Sequence, residues 1–384
     1  MNKRLRILIT CDDISRGGGA ERVVANLSNA FVENGCEVWV YSLKRCFVDL
    51  PYHYDERVKL RGCLNGISFS KPKSFTGKVW REIKRIVMLP IIYYFNMDVE
   101  RQFKRRLKSF KPDFVICNTH DNKLNKIFFK KVKTKGIKIV HNCFEFYEKR
   151  KIDLSVFPNV VLLTSREMNS FRQKYPNLHF YTIPNFIPKI PQENGNYSQK
   201  NVLAVGRFDK QKGYFRLIDI WQIIQQDLAF KGWKLIIVGD GELKLEIQEK
   251  IKTLYLEDSI ILKPFTKEIE QEYLQASIYV MTSHFEGFGM VLIEAESFGL
   301  PCIAFDINTG PSDIIENEKS GYLVEDNDLE GYAEKLKTLM QDQNLRESMG
   351  KRAKEIVQEK FSKEVIMKKW FELFERLSMQ ERKY

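Results

Sequence analysis

His284-Phe285-Glu286-Gly287-Phe288-Gly289-Met290-Val291-Leu292-Ile293-Glu294-Ala295-Glu296-Ser297 reads as a loop running into a helix. A β-like run at 278–282 precedes it, and the helix is predicted to begin near Met290. Gly287 and Gly289 let the backbone come close to a ligand, and the first helical N–H groups point back at the loop. Such amides, with the helix dipole behind them, suit an anion such as a phosphate. Glu286 and Glu294 lie eight positions apart, one before the helix and one about a turn inside it. An ionised carboxylate only accepts hydrogen bonds, so it suits sugar hydroxyls. A ligand needing both is a nucleotide sugar.

Working outward, strand-like runs alternate with helical patterns. Residues 5–10 form a first strand, 11–20 a glycine-rich loop, 21–31 a helix and 37–41 a second strand. That is one βαβ unit, the building block of a parallel sheet. Later strands are expected at 113–117, 137–140 and 160–165. Pro184, Pro188 and Pro191, followed by a polar stretch to Lys200, mark a linker. The second half repeats the style, with strands at 201–205, 233–238, 259–262, 301–305 and 321–324 and a helical tail from Leu329. The fold class expected is α/β, two Rossmann-like βαβ domains in series. Ligands of such sheets bind at the carboxyl ends of strands, so the strand-end loops are expected to face one cleft.

Several of those loops carry chemistry. Arg207 and Lys212 follow the strand at 201–205, and Gly213 precedes a helix. An Arg fork and a Lys point charge can together neutralise a diphosphate and stabilise it as a leaving group; equally, most Lys and Arg are surface cations. Gly18 and Gly19, in a Gly17–Gly19 run, could present amides, although turns use glycine freely. Gly239 sits in a strand-to-helix turn that a tight βα connection explains as well as ligand contact. His141 ends a strand beside Asn142 and Glu145. A charge such as Glu294 in an apolar helix needs a partner, and a ribose diol is a candidate. The run matches GxGxxG poorly, and no P-loop is present.

Composition bounds the rest. The chain has 384 residues, is 43% hydrophobic and carries a formal charge of +12. No apolar run reaches the roughly eighteen residues of a transmembrane helix. Seven cysteines without CxxC pairing fit a reducing cytosol. No metal site is expected, since none of the five histidines is spaced with cysteines as a knuckle. Residues 71–111 hold twelve Lys and Arg against three acidic residues, most of the charge surplus. Basic clusters flanking the apolar run 86–95 suit an anionic membrane surface; the alternative is a solvated basic face on helices that pack inward. No nucleic-acid motif accompanies the charge.

These residues resemble the retaining, nucleotide-sugar-dependent glycosyltransferases of family 4, which have the GT-B fold. The resemblance runs from Gly18-Gly19-Ala20-Glu21-Arg22 to the C-terminal helix, and is most specific at Glu286-x7-Glu294 and at Gly206-Arg207 with Lys212-Gly213. It implies an N-terminal acceptor domain at 1–188, completed by a crossing helix at 365–384, and a donor domain at 189–364. Candidate catalytic residues are Glu286, Arg207, Lys212 and His141. It implies that Arg207 and Lys212 hold the donor diphosphate, Glu286 hydroxyls of the transferred sugar, and Glu294 the ribose. The amides of Gly287, Phe288, Gly289, Met290 and Val291 would face sugar and phosphates, Gly18, Gly19 and His141 would approach from the other domain, and Phe265 would lie at the nucleobase. Asp313 stands where the family often has Glu, which puts a contact there in question. Asp326-Asn327-Asp328 matches a DxD pattern but follows the last strand, and no metal or other cofactor is expected.

The activity implied is transfer of a hexose or N-acetylhexosamine, with UDP the expected nucleotide, to a glycan or glycolipid of lipopolysaccharide, capsule or related polysaccharide. The expected location is cytoplasmic, peripheral on the inner face of the membrane. The alternatives are an NAD-dependent oxidoreductase and a non-catalytic GT-B partner subunit.

Overall fold

The structure, a computed structural model, describes residues 4–42, 50–62, 101–119 and 136–381. Two parallel sheets account for the strands. The first has the order β3-β2-β1-β4-β5-β6-β7, with β1 at Arg6–Cys11, β2 at Glu37–Ser42, β3 at Lys59–Gly62, β4 at Phe114–Cys117, β5 at Gly136–Val140, β6 at Asn159–Leu162 and β7 at His179–Thr182. The second has the order β10-β9-β8-β11-β12-β13, with β8 at Asn201–Val205, β9 at Lys234–Val238, β10 at Ile260–Lys263, β11 at Ile278–Met281, β12 at Cys302–Phe305 and β13 at Gly321–Val324. The central strands are apolar on both faces because helices cover both; Val115, Ile137, Leu235 and Ile278 have no exposed surface.

In each sheet the strand order reverses at one place, between β1 and β4 and between β8 and β11. Loops leaving the strands on either side of a reversal diverge and leave a crevice. The two crevices face each other, and the site lies between them.

Two of these strands, β3 and β7, are missing from the sequence reading. Both are sheet edges. An edge strand packs on fewer neighbours and needs less apolar patterning, as Lys59-Leu60-Arg61-Gly62 illustrates.

Helix α1 (Gly19–Glu33) covers the first sheet with Val23, Val24, Leu27 and Phe31. The helical tail is broken. Asp342 accepts from the Leu345 amide and starts a new helix, and a π turn at Val357–Phe361 precedes the last, Lys363–Glu381. That last helix leaves the second domain and packs on the first. Trp370 meets Phe31 edge-on at 5.9 Å, Phe374 stacks on Phe114 at 4.3 Å, and Lys363 pairs with Glu33 at 2.7 Å. The chain passes between domains twice, and the Ile187 amide bonds the Phe361 carbonyl at 2.9 Å where the passages run together.

Most of the basic segment, 71–100, lies outside the described residues. Residues 101–110 are helical. Their Phe103 and Phe110 are buried against Tyr41 and Trp39, while Arg101, Arg105 and Arg106 face solvent. In this part the basic residues are solvated while the apolar side of the helix packs inward. Among the described residues no helix is long and apolar enough to cross a membrane, and no cluster of His, Cys, Asp and Glu could hold a metal ion.

Candidate active site

The two crevices enclose a cleft of about 580 Å³ lined from both domains. From the first come Asp12 after β1, Asn118 after β4, His141 after β5 and the turn Arg16–Arg22. From the second come Gly206, Arg207 and Lys212 after β8 and the run from Glu286 to Glu294 after β11. All but two of the expected site residues therefore line one cavity. Gly239 and Phe265 do not. Gly239 is where a side chain would collide with the Gly206 carbonyl, so it permits two strand-end loops to touch. Phe265 is 71% exposed.

The helix expected at Met290 begins there and runs to Ser297, capped by Gly289 at φ +95°, a conformation that favours glycine. Gly287 lines the cleft and has a further, steric role that the sequence reading did not include. A Cβ on it would stand 1.7 Å from the His141 carbonyl. Its bare backbone lets the loop of the second domain reach a strand end of the first.

The site's charges are matched internally. Lys212 Nζ donates to Glu286 Oε1 at 2.7 Å, and Ser283 Oγ donates to the same oxygen at 2.7 Å. Arg22 Nη1 lies 2.6 Å from Glu294 Oε1 across the domain boundary, and Tyr273 donates to Oε2 at 3.2 Å. Burial pushes the Glu294 carboxyl up from its ordinary range and the Arg22 guanidinium opposes that shift. Glu294 in turn raises Arg22. Arg207 reaches Asp209 at 3.1 Å and Arg16 reaches Asp13 at 3.5 Å. Each of the four described cations lining the cleft thus has a carboxylate partner. Arg207 is mostly exposed, whereas Lys212 and Glu286 are largely buried.

Sequence reasoning missed Arg216, which fixes the Lys212–Glu286 pair. It is 7% exposed, on the helix Tyr214–Gln225. Its Nε donates to the Thr282 carbonyl at 2.6 Å and its Nη2 to the Ser283 carbonyl. Nη1 donates to Asp326 at 2.7 Å, and the guanidinium stacks on Phe305. Thr282 Oγ1 in turn donates to the Gly213 carbonyl at 3.2 Å. The loops carrying Lys212 and Glu286 are therefore laced together. Asp326 is engaged here, and Asp328 caps a helix by accepting from the Gly331 amide at 2.9 Å, so the DxD-like run has structural work. The signal available was a lone Arg in an apolar helix, the argument applied to Glu294.

His141 Nε2 and Asn118 Oδ1 are 2.7 Å apart, which holds the ring at the cleft wall. Asp313 does make a contact despite its short side chain. Its Oδ1 accepts from the Ser165 amide at 3.1 Å and the Ser165 hydroxyl at 2.9 Å, in the other domain. Arg166 adds bonds to Asp306, Ile307 and Ser312. Beneath them Thr309 donates to the Glu286 carbonyl.

Replacing Arg216 with Ala leaves Asp326 and two strand-end carbonyls without their cation. The expected loss is roughly 1–3 kcal/mol of stability, set by the buried Thr282 and Ser283 carbonyls left unsatisfied rather than by the half-exposed Asp326, and is read by urea denaturation.

A sequence model described as "Glycosyl transferases group 1" matches residues 186–356. The amylovoran biosynthesis glycosyltransferase AmsD of Erwinia amylovora is 32% identical over 383 residues, covering 95% of this chain and 98% of that protein. Among solved structures, TarM superposes with a TM-score of 0.77 at 18% identity, over 97% of this chain and 99% of its own. The pneumococcal O-GlcNAc transferase GtfA, in complex with UDP and GlcNAc, gives 0.75 at 16% identity over 97% and 99%. The oxidoreductase alternative gives way to these findings, and the chain belongs to the group 1 glycosyltransferases, with the GT-B fold.

Proposed function

We propose that the protein is a retaining glycosyltransferase that moves a hexose or N-acetylhexosamine from a UDP-sugar to a glycan or glycolipid acceptor in bacterial polysaccharide biosynthesis. The observation that carries this reading is the cleft floor, where Lys212, a helix N-terminus and Glu286 converge. The lysine and the amides from Gly287 to Val291 suit the departing diphosphate. Glu286 suits hydroxyls of the transferred sugar, and Glu294 the ribose. Arg207, at the exposed rim, closes on the diphosphate from outside, and Gly18, Gly19 and His141 approach from the acceptor side.

The resemblance to retaining family 4 enzymes implies a same-face reaction. An acceptor hydroxyl oxygen bonds to the anomeric carbon on the face that the diphosphate leaves. The bond from that carbon to the phosphate oxygen breaks, and the acceptor's proton passes to the departing phosphate. Configuration is retained and no protein nucleophile or metal takes part. AmsD is named for amylovoran biosynthesis and GtfA was solved with UDP and GlcNAc; both support the choice of acceptor class and nucleotide.

A panel of UDP- and GDP-sugars scored by thermal shift tests the reading. One UDP-hexose or UDP-N-acetylhexosamine should raise the melting temperature without added metal, since about 2.7 kcal/mol is gained at a hundred times Kd. Lys212→Ala should then slow transfer by about 10²- to 10³-fold. A protein indifferent to every nucleotide sugar contradicts the reading, and unchanged transfer by Glu286→Ala contradicts the role given to that carboxylate.

We also propose that the acceptor is met at the cytoplasmic face of an anionic membrane, a reading supported by the charge of residues 71–111. Co-sedimentation with phosphatidylglycerol vesicles at low salt should be strong and should fall as salt rises. Protein left in the supernatant at low salt removes this part of the proposal.

A further inference from the structure

The expected ribose carboxylate is already engaged. Arg22 holds one oxygen of Glu294 and Tyr273 the other. Glu286 is engaged in the same way by Lys212. Both carboxylates assigned to donor hydroxyls therefore carry a cation before any donor arrives. One cation comes from each domain.

We propose that Arg22 is a ligand of the donor diphosphate, which it takes up when the ribose displaces it from Glu294. The inference rests on the nucleotide-sugar reading above and adds a residue from the opposite domain to it. Three observations carry it. Arg22 lies in the first turn of α1, whose N-terminal amides at Gly19 and Ala20 line the same cleft, so helix dipole and guanidinium act on one region. Its contact with Glu294 places it beside the ribose position, and in a nucleotide the diphosphate begins one carbon and one oxygen from the ribose ring. Finally, the guanidinium, which now meets one carboxylate oxygen through Nη1 alone, has donors that suit phosphate oxygens.

Charge bookkeeping agrees. A nucleoside diphosphate brings negative charge on its phosphates and neutral hydroxyls on its ribose. When ribose hydroxyls take Glu294, and hydroxyls of the transferred sugar take Glu286, the phosphates pair with Arg22 and Lys212. A nucleoside without phosphates would evict Arg22 from a buried carboxylate and offer it nothing in return. The arrangement therefore discriminates for the diphosphate, and it ties binding to closure because the two cations stand on opposite walls.

The test compares uridine diphosphate with uridine, and guanosine diphosphate with guanosine, by calorimetric competition on the full chain and on Arg22→Gln and Arg22→Lys. The ratio of diphosphate to nucleoside affinity is read, because any inactive fraction cancels from it. In the unmodified protein the ratio should be large. Arg22→Gln should cut it by about tenfold or more, the worth of a charge-assisted contact, with nucleoside affinity held or raised. Arg22→Lys should fall between. An unchanged ratio in Arg22→Gln overturns the inference and leaves the nucleotide-sugar reading standing. If neither diphosphate binds the unmodified protein, both fall.

Discussion

A carboxylate removed from water needs compensating charge or hydrogen bonds, and this cleft has two such carboxylates at its floor. Glu286 and Glu294 are each less than a tenth exposed. The structure meets that constraint with Lys212 from the same domain and Arg22 from the other. Much of the surrounding architecture holds those pairs in place. Arg216 laces the Lys212 and Glu286 loops together through strand-end carbonyls. Gly287 brings one domain's loop to the other's backbone. The Ser165–Asp313 and Arg166–Asp306 bonds fasten the rim, and the last helix returns to the first domain through Trp370 and Phe374. A site built from both domains needs both to be held.

The topology explains why this site is where it is. Strand order reverses between β1 and β4 and between β8 and β11, and the loops leaving these four strands supply Asp12, Asn118, Lys212 and Glu286. Doubly wound sheets leave their crevices at such reversals. Two sheets facing each other at their reversals make one cleft from two halves, so a single ligand can touch both domains.

Much of this was legible in the sequence, for identifiable reasons. Buried parallel strands are continuous apolar runs, and glycine punctuates their turns, so the βα alternation and the start of the helix at Met290 could be read directly. Edge strands carry little of that signal, and β3 and β7 went unread. Partnership was harder. The apolar surroundings of Glu294 demanded a partner, and the sequence suggested a ribose, yet Arg22 is 272 positions away and reaches it through folding alone. Arg216 posed the same demand and was missed. Gly287 was read as an approach to ligand, and that a Cβ there would collide with the His141 carbonyl could not be read from the sequence. Local spacing can reveal that a residue needs a companion. Which companion it finds depends on contacts far apart in the chain.

The central claim is that nucleotide binding moves Arg22 from Glu294 to the diphosphate. A crystal structure with uridine diphosphate at saturating concentration tests it most directly. The account predicts diphosphate oxygens within hydrogen-bonding distance of Lys212 Nζ and the Arg22 guanidinium, with ribose hydroxyls on Glu294. Arg22 still paired with Glu294 beside a bound nucleotide would contradict it.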